Sequence, residues 1–179
     1  MRSESTEPGT FFTIGHSTHD LETFKSLLSS HNIDIVVDLR SAPYSKQAPQ
    51  FNRDSIRDVL ATVAVRYLYG GRELGGRPRD LELYGHDGRV LYWKVADTDP
   101  FKTGIAGLWR LLDRQTRIAL LCSEESPNEC HRRLLVGRVL CDQGARLLHI
   151  RGNGNLEEES GVPKHQPSLF ASREEPASQ

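Results

Sequence analysis

Short apolar runs alternate with stretches of helical period along most of this chain. Residues 11–15, closed by Gly15, read as a strand. Ser17 or Thr18 then stands where a helix cap belongs, ahead of Leu21, Phe24, Leu27 and Leu28 on one helical face. Residues 33–38 are β-branched and apolar on both faces, as in a strand covered on both sides. After a loop at 39–50, Asn52 is placed to cap a helix carrying Ile56, Val59, Leu60 and Val63, and residues 64–68 suit a third strand. A long glycine-rich segment, 69–100, reads as an insertion. Beyond it Ile105, Leu108, Trp109 and Leu112 mark a helix over 102–114, and residues 117–122 a buried strand. Ser126 and Pro127 open a helix with Leu134, Leu135, Val139 and Leu140 on its apolar side, and Gly144 ends it before a strand at 145–150.

Repeated strand–helix alternation predicts an α/β fold: a three-layer sandwich with a mainly parallel five-stranded sheet and helices on both faces, Rossmann-like or flavodoxin-like. The expected organisation is a disordered N-terminus at 1–10, a single α/β domain at 11–155, and a polar, disordered tail at 156–179. The tail mixes Glu, Pro, Ser, Gly and Gln with few apolar residues, too few to offset its ordering entropy.

Composition narrows the class. The 179 residues are 37% hydrophobic and 26% charged, which suits one domain with its own core. No apolar run approaches the roughly 20 residues of a membrane span. The polar opening with Glu4 and Glu7 is unlike a secretory signal, and three cysteines do not make a disulfide scaffold. A cytoplasmic protein without membrane contact is expected. The net charge of −1 is unevenly spread: residues 157–179 sum to −3 and the first ten to −1, leaving +3 on the body. Of the 23 basic residues 18 are arginines, the side chain best suited to bidentate phosphate or carboxylate contacts, although a solvated arginine-rich surface has the same composition.

The chemically capable residues follow the predicted strands. In a parallel sheet those loops share one edge, where ligands of open α/β sheets bind. The first strand leads into Gly15-His16-Ser17, an anion-favouring turn with His16 as acid, base or phosphate ligand; the alternative is a helix cap with a backbone-bonded histidine. The second leads into Asp38 and Arg40, at alternate positions on one side, with Pro43 and Ser45 beyond. Arg40 suits an anion and Asp38 a proton or the orientation of Arg40; a structural Asp–Arg pair is the rival reading. The fourth leads into Cys122, Ser123 and Glu124, then Cys130-His131-Arg132. Glu124 is either an acid–base carboxylate or a salt-bridge partner. Cys130 is a candidate thiolate beside Arg132, Cys122 a buried strand-end residue, and His131 with Arg132 an anion clamp. Seven residues between Cys122 and Cys130 is not a zinc-ribbon spacing, so no metal is expected. A Cys-based phosphatase loop is excluded because Asn128, not arginine, stands six after Cys122. Gly70-Gly71 and Gly75-Gly76 match neither a Walker loop nor a dinucleotide fingerprint, and read as a lid or a plain insertion.

Thr13-Ile14-Gly15-His16-Ser17, Val37-Asp38-Leu39-Arg40 with Pro43 and Ser45, Leu74-Gly75-Gly76, and Leu121-Cys122-Ser123-Glu124 with Pro127 and Cys130-His131-Arg132 together resemble the prokaryotic family filed as domain of unknown function 488. The match runs in order from about residue 11 to 150. The resemblance implies a compact α/β domain of bacteria or archaea and brings no particular reaction with it.

The residues themselves set the functional expectation. It is a cofactor-independent enzyme acting on a phosphate-bearing small molecule, nucleotide or nucleic-acid piece, by hydrolysis or glycosidic-bond transfer. His16, Asp38 and Glu124 are the catalytic candidates, and Ser17, Arg40, Ser45, Cys130, His131 and Arg132 the substrate-binding ones. A non-catalytic nucleotide or nucleic-acid binding module is the alternative, and a thiol redox or metal-binding protein a minor one.

Overall fold

The computed structural model describes residues 9–113 and 115–161. β1 (Thr10–Gly15) is buried along its whole length. It is followed by α1 (Leu21–Ser30), whose N-cap is Asp20: the carboxylate accepts from the Thr23 amide at 2.7 Å. The cap therefore lies beyond Ser17 and Thr18, because residues 15–19 are spent on a tight turn out of the strand. β2 (Ile35–Asp38) and α2 (Arg53–Thr62) follow. Asn52 sits at the α2 N-cap without capping it, since its side-chain oxygen is taken by the Ser45 amide at 2.7 Å.

β3 (Arg66–Tyr69) leads into the glycine-rich stretch, which is not a plain insertion. It contains α3 (Gly71–Leu74), α4 (Tyr92–Asp97) and the start of α5 (Asp99–Leu111), which is capped by Thr98. β4 (Ile118–Cys122) runs into a loop, a π-helical turn (Arg132–Gly137) and α6 (Arg138–Asp142). Helical geometry begins after Cys130 rather than at Ser126-Pro127; the Ser126 hydroxyl accepts from the Asn128 amide instead. β5 (Arg146–Ile150) is followed by β6 (Leu156–Glu158), inside the segment expected to be disordered. The expectations for 1–8 and 162–179 lie outside the described residues.

The sheet has six strands in the order β3-β2-β4-β1-β5-β6, all parallel except the β5–β6 pair. The α/β expectation holds, with one antiparallel edge strand added. Relative to the dinucleotide-fold order 3-2-1-4-5-6, β1 and β4 have exchanged places. Alternation along the strands sorts two cores. Phe12, Ile14, Val36, Ala119 and Leu121 pack against Phe24 and Leu28 of α1 and Ile56 and Leu60 of α2. Phe11, Ile35, Val37, Ile118 and Leu120 pack against Leu74, Val95, Ile105, Leu108 and Leu140 of α3–α6. From β1 the chain departs toward β2, and from β4 it departs the opposite way toward β5. The loops after β1 and β4 therefore diverge, and a crevice opens at that switch point.

Candidate functional site

The β1 and β4 loops meet almost without clearance. A Cβ on Gly15 would overlap the Glu124 carbonyl oxygen, so only glycine fits. Past the ends of the strands the pairing continues: the His16 amide donates to the Cys122 carbonyl at 3.0 Å and the Ser17 amide to Ser123 at 2.8 Å. Ser17 pays for this turn with a left-handed backbone, φ 45°.

Beside this junction lies a cleft of about 340 Å³ lined by His16, Ser17, Arg40, Tyr44, Ser45 and Glu124, among others. The His16 ring is 4% exposed and stacks on Phe51 at 4.5 Å between centroids. Its Nδ1 lies 2.9 Å from the Ser17 carbonyl oxygen, which can only accept, so Nδ1 carries the hydrogen. In the neutral ring Nε2 is then a bare lone pair, and it has no partner among the described residues. Burial lowers the His16 pKa, assisted by the Arg40 charge, against the opposing pull of the Ser17 carbonyl, Cys122 and Asp38.

Arg40 is held from behind. Its Nε donates to Asp38 Oδ1 at 2.9 Å and one Nη to Oδ2 at 2.6 Å, while the same Nη reaches the Phe51 carbonyl at 2.9 Å. The Arg40 amide and the Tyr67 hydroxyl donate to Asp38 as well, at 3.0 and 2.7 Å. Asp38 is wholly buried and does not line the cleft. Its lone pairs are occupied, so it positions Arg40. Tyr67 was missed from the sequence, although it lies on the neighbouring strand beside Val36 and so faces the same layer as Asp38. Burial, and then the Asp38 charge, push its hydroxyl above the usual range. The Ser45 hydroxyl caps the next turn, accepting from the Gln47 and Ala48 amides at 3.2 Å each. Glu124 is exposed at the opposite wall and makes no ion pair among the described residues.

The remaining candidates lie on the other side of the sheet. Gly15 pairs with Cys122 in register, so the Cys122 side chain emerges toward α3–α6 while His16 emerges toward α1 and α2. Arg132 is fully buried and does not reach an anion site. It donates to the carbonyls of Glu124 and, at 2.6 Å, Glu125, and to the Thr13 hydroxyl at 3.3 Å, fixing the far wall of the cleft by its backbone. His131 Nε2 donates to the Leu39 carbonyl at 3.0 Å, leaving Nδ1 facing Cys122 Sγ at 3.5 Å and Cys130 Sγ at 4.0 Å. These three donor atoms lie within 4.8 Å of one another. The Cys122 thiol is drawn well below its ordinary value, first by a hydrogen bond from Cys130 and then by His131 and Arg132, and Cys130 is driven up in return. Gly76 closes over this group, with room for no Cβ: one would stand 2.6 Å from His131 Cγ. The glycine pair is a packed cover rather than an open lid.

The family model described as "Domain of unknown function DUF488" matches residues 20–139. The chain belongs to that family. No curated protein and no solved structure matches it.

Proposed function

We propose that the His16–Arg40 cleft is the active site of a hydrolase for a small phosphate-bearing substrate, a nucleotide or a piece of nucleic acid. The observation that carries the reading is the bare Nε2 of His16 beside an arginine whose fork is pinned by Asp38. A pinned guanidinium binds an anion with little further loss of side-chain freedom. The substrate phosphate docks on Arg40 and the Ser17 and Ser45 hydroxyls. Water attacks the phosphorus, its proton passes to His16 Nε2, and the imidazolium returns that proton to the departing oxygen. Glu124 orients the water from the opposite wall. Glycosidic-bond transfer fits less well, because it calls for two available carboxylates and Asp38 is saturated by Arg40 and Tyr67.

Nucleoside monophosphates, their phosphodiesters and inorganic phosphate are the probes. His16→Ala is expected to lower turnover of the best substrate about 10²–10⁴-fold with the fold retained by circular dichroism. Unchanged turnover removes His16 from the chemistry. A second reading, binding without turnover, is favoured by the neighbouring depression that Arg53, Arg72, Arg77 and Arg79 line. It requires that affinity for oligonucleotides fall steeply as salt rises.

A further inference from the structure

We propose that Cys122, Cys130 and His131 form a zinc-binding site, distinct from the cleft, that ties the end of β4 to the start of the π-helical turn. None of the three lines the cleft; the pleat of the sheet turns Cys122 to the opposite face, and Cys130 and His131 gather against it there.

The argument begins with the imidazole. A metal-bound histidine characteristically donates its other ring N–H to a backbone carbonyl or carboxylate, which fixes the tautomer and aims the ligating lone pair. His131 has this arrangement: Nε2–H is committed to the Leu39 carbonyl, and Leu39 is itself tied into the sheet through its amide to Leu121 at 2.9 Å. Nδ1 is left to face the two sulfurs. The two sulfurs and this nitrogen all lie within 4.8 Å of one another, and each is a metal-ligating atom. A single cation satisfies all three donors.

The distances suit a particular cation. Zn–S bonds of about 2.3 Å and Zn–N bonds of about 2.0–2.1 Å set the S···N edge of a tetrahedron at roughly 3.6 Å. The observed edges are 3.5 and 4.0 Å. Two thiolates and an imidazole are a borderline-soft set that favours zinc over magnesium or calcium. Both sulfurs are buried, and Gly76 packs against the His131 ring. Linear spacing argued against this site because ribbon motifs place ligands on a local turn. Here a strand end and a helix start supply them, and the fold sets the separation.

The test uses the full chain, made in zinc-supplemented medium and purified under reducing conditions without chelator. About one zinc per chain is expected, together with the charge-transfer absorption of a thiolate site on replacement by cobalt. Cys122→Ser and His131→Ala should each lose at least about nine-tenths of the metal, while Cys141→Ser keeps it. Should a ligand variant fail to fold, the cobalt spectrum of the wild-type chain still decides the matter. Three results overturn the proposal: no zinc retained after reconstitution with excess metal, zinc content equal in all variants, or a Cys122–Cys130 disulfide that persists in reductant. Turnover in the cleft has no bearing on these readouts.

Discussion

At the level of single residues the cleft depends on one buried pair. Asp38 receives hydrogen bonds from the Arg40 side chain and amide and from Tyr67, so its loss would leave a guanidinium buried without its counter-charge. Asp38→Asn is expected to cost about 3–5 kcal/mol, seen as a lower urea midpoint at unchanged slope. Tyr67→Phe removes one bond and should cost about 1 kcal/mol. A loss below about 0.5 kcal/mol for Asp38→Asn would show that Arg40 keeps its place unaided. His16, Ser17, Arg40, Ser45 and Glu124 were legible as cleft residues because a parallel sheet sends its loops to a common edge. The duty of Arg132 was not, and the sequence left Asp38 open between a proton-transfer role and the orientation of Arg40. Both residues are buried polar groups with distant partners, Tyr67 for Asp38 and Thr13 for Arg132, and those long-range contacts exist only after packing.

Among the elements, β6 shows why a composition rule fails. Its three residues are exposed and two are acidic, which reads as an unstructured tail. Yet Glu158 receives Arg146 at 2.7 and 3.0 Å, and Glu157 receives Arg151 at 2.9 Å. The acid surplus of the tail is drawn onto the base surplus of the body, and pairing with β5 closes an otherwise open edge. Glu159 then anchors the end. Arg133 donates to both its oxygens, and His149 Nε2 donates at 3.3 Å. His149 is in turn oriented by the Thr13 hydroxyl at 2.7 Å, which itself accepts from Arg132. Burial alone would raise the Glu159 pKa, but Arg133, the Gly161 amide and His149 outweigh it and hold it at about 2. The folded pKa lies below the ordinary 4.5, so this contribution is complete above pH 4.5 and lost as pH falls toward 2. Glu159→Gln should therefore cost about 1.5–3 kcal/mol near neutrality, with the gap to the wild-type chain closing through that acid window. A gap independent of pH would mean that charge is not what holds β6. The missed helices of residues 69–100 have a related cause. α3 and α4 are only 4 and 6 residues long, too short for periodicity to stand out, and they are stabilised by Leu74 and Val95 entering the second core.

For the molecule as a whole, the strand order with β1 and β4 exchanged places the two proposed sites back to back. The pleat turns His16 toward one layer and Cys122 toward the other, yet the His16 amide is bonded to the Cys122 carbonyl. Gly15 is where the two halves touch, and the Glu124 carbonyl occupies the space a side chain would need. That carbonyl is also gripped by Arg132, next in sequence to His131. A methyl group at position 15 must push the β4 loop outward, displacing Glu124 from the cleft wall and straining the Arg132 clamp beside the thiols. Gly15→Ala is accordingly expected to cost about 1–3 kcal/mol or more and to damage both sites together, weakening phosphate binding in the cleft and zinc retention beneath it. His16→Ala should impair only the first and Cys130→Ser only the second. If Gly15→Ala leaves either site intact while disabling the other, the loops are mechanically independent, and the coupling drawn through this one close approach fails.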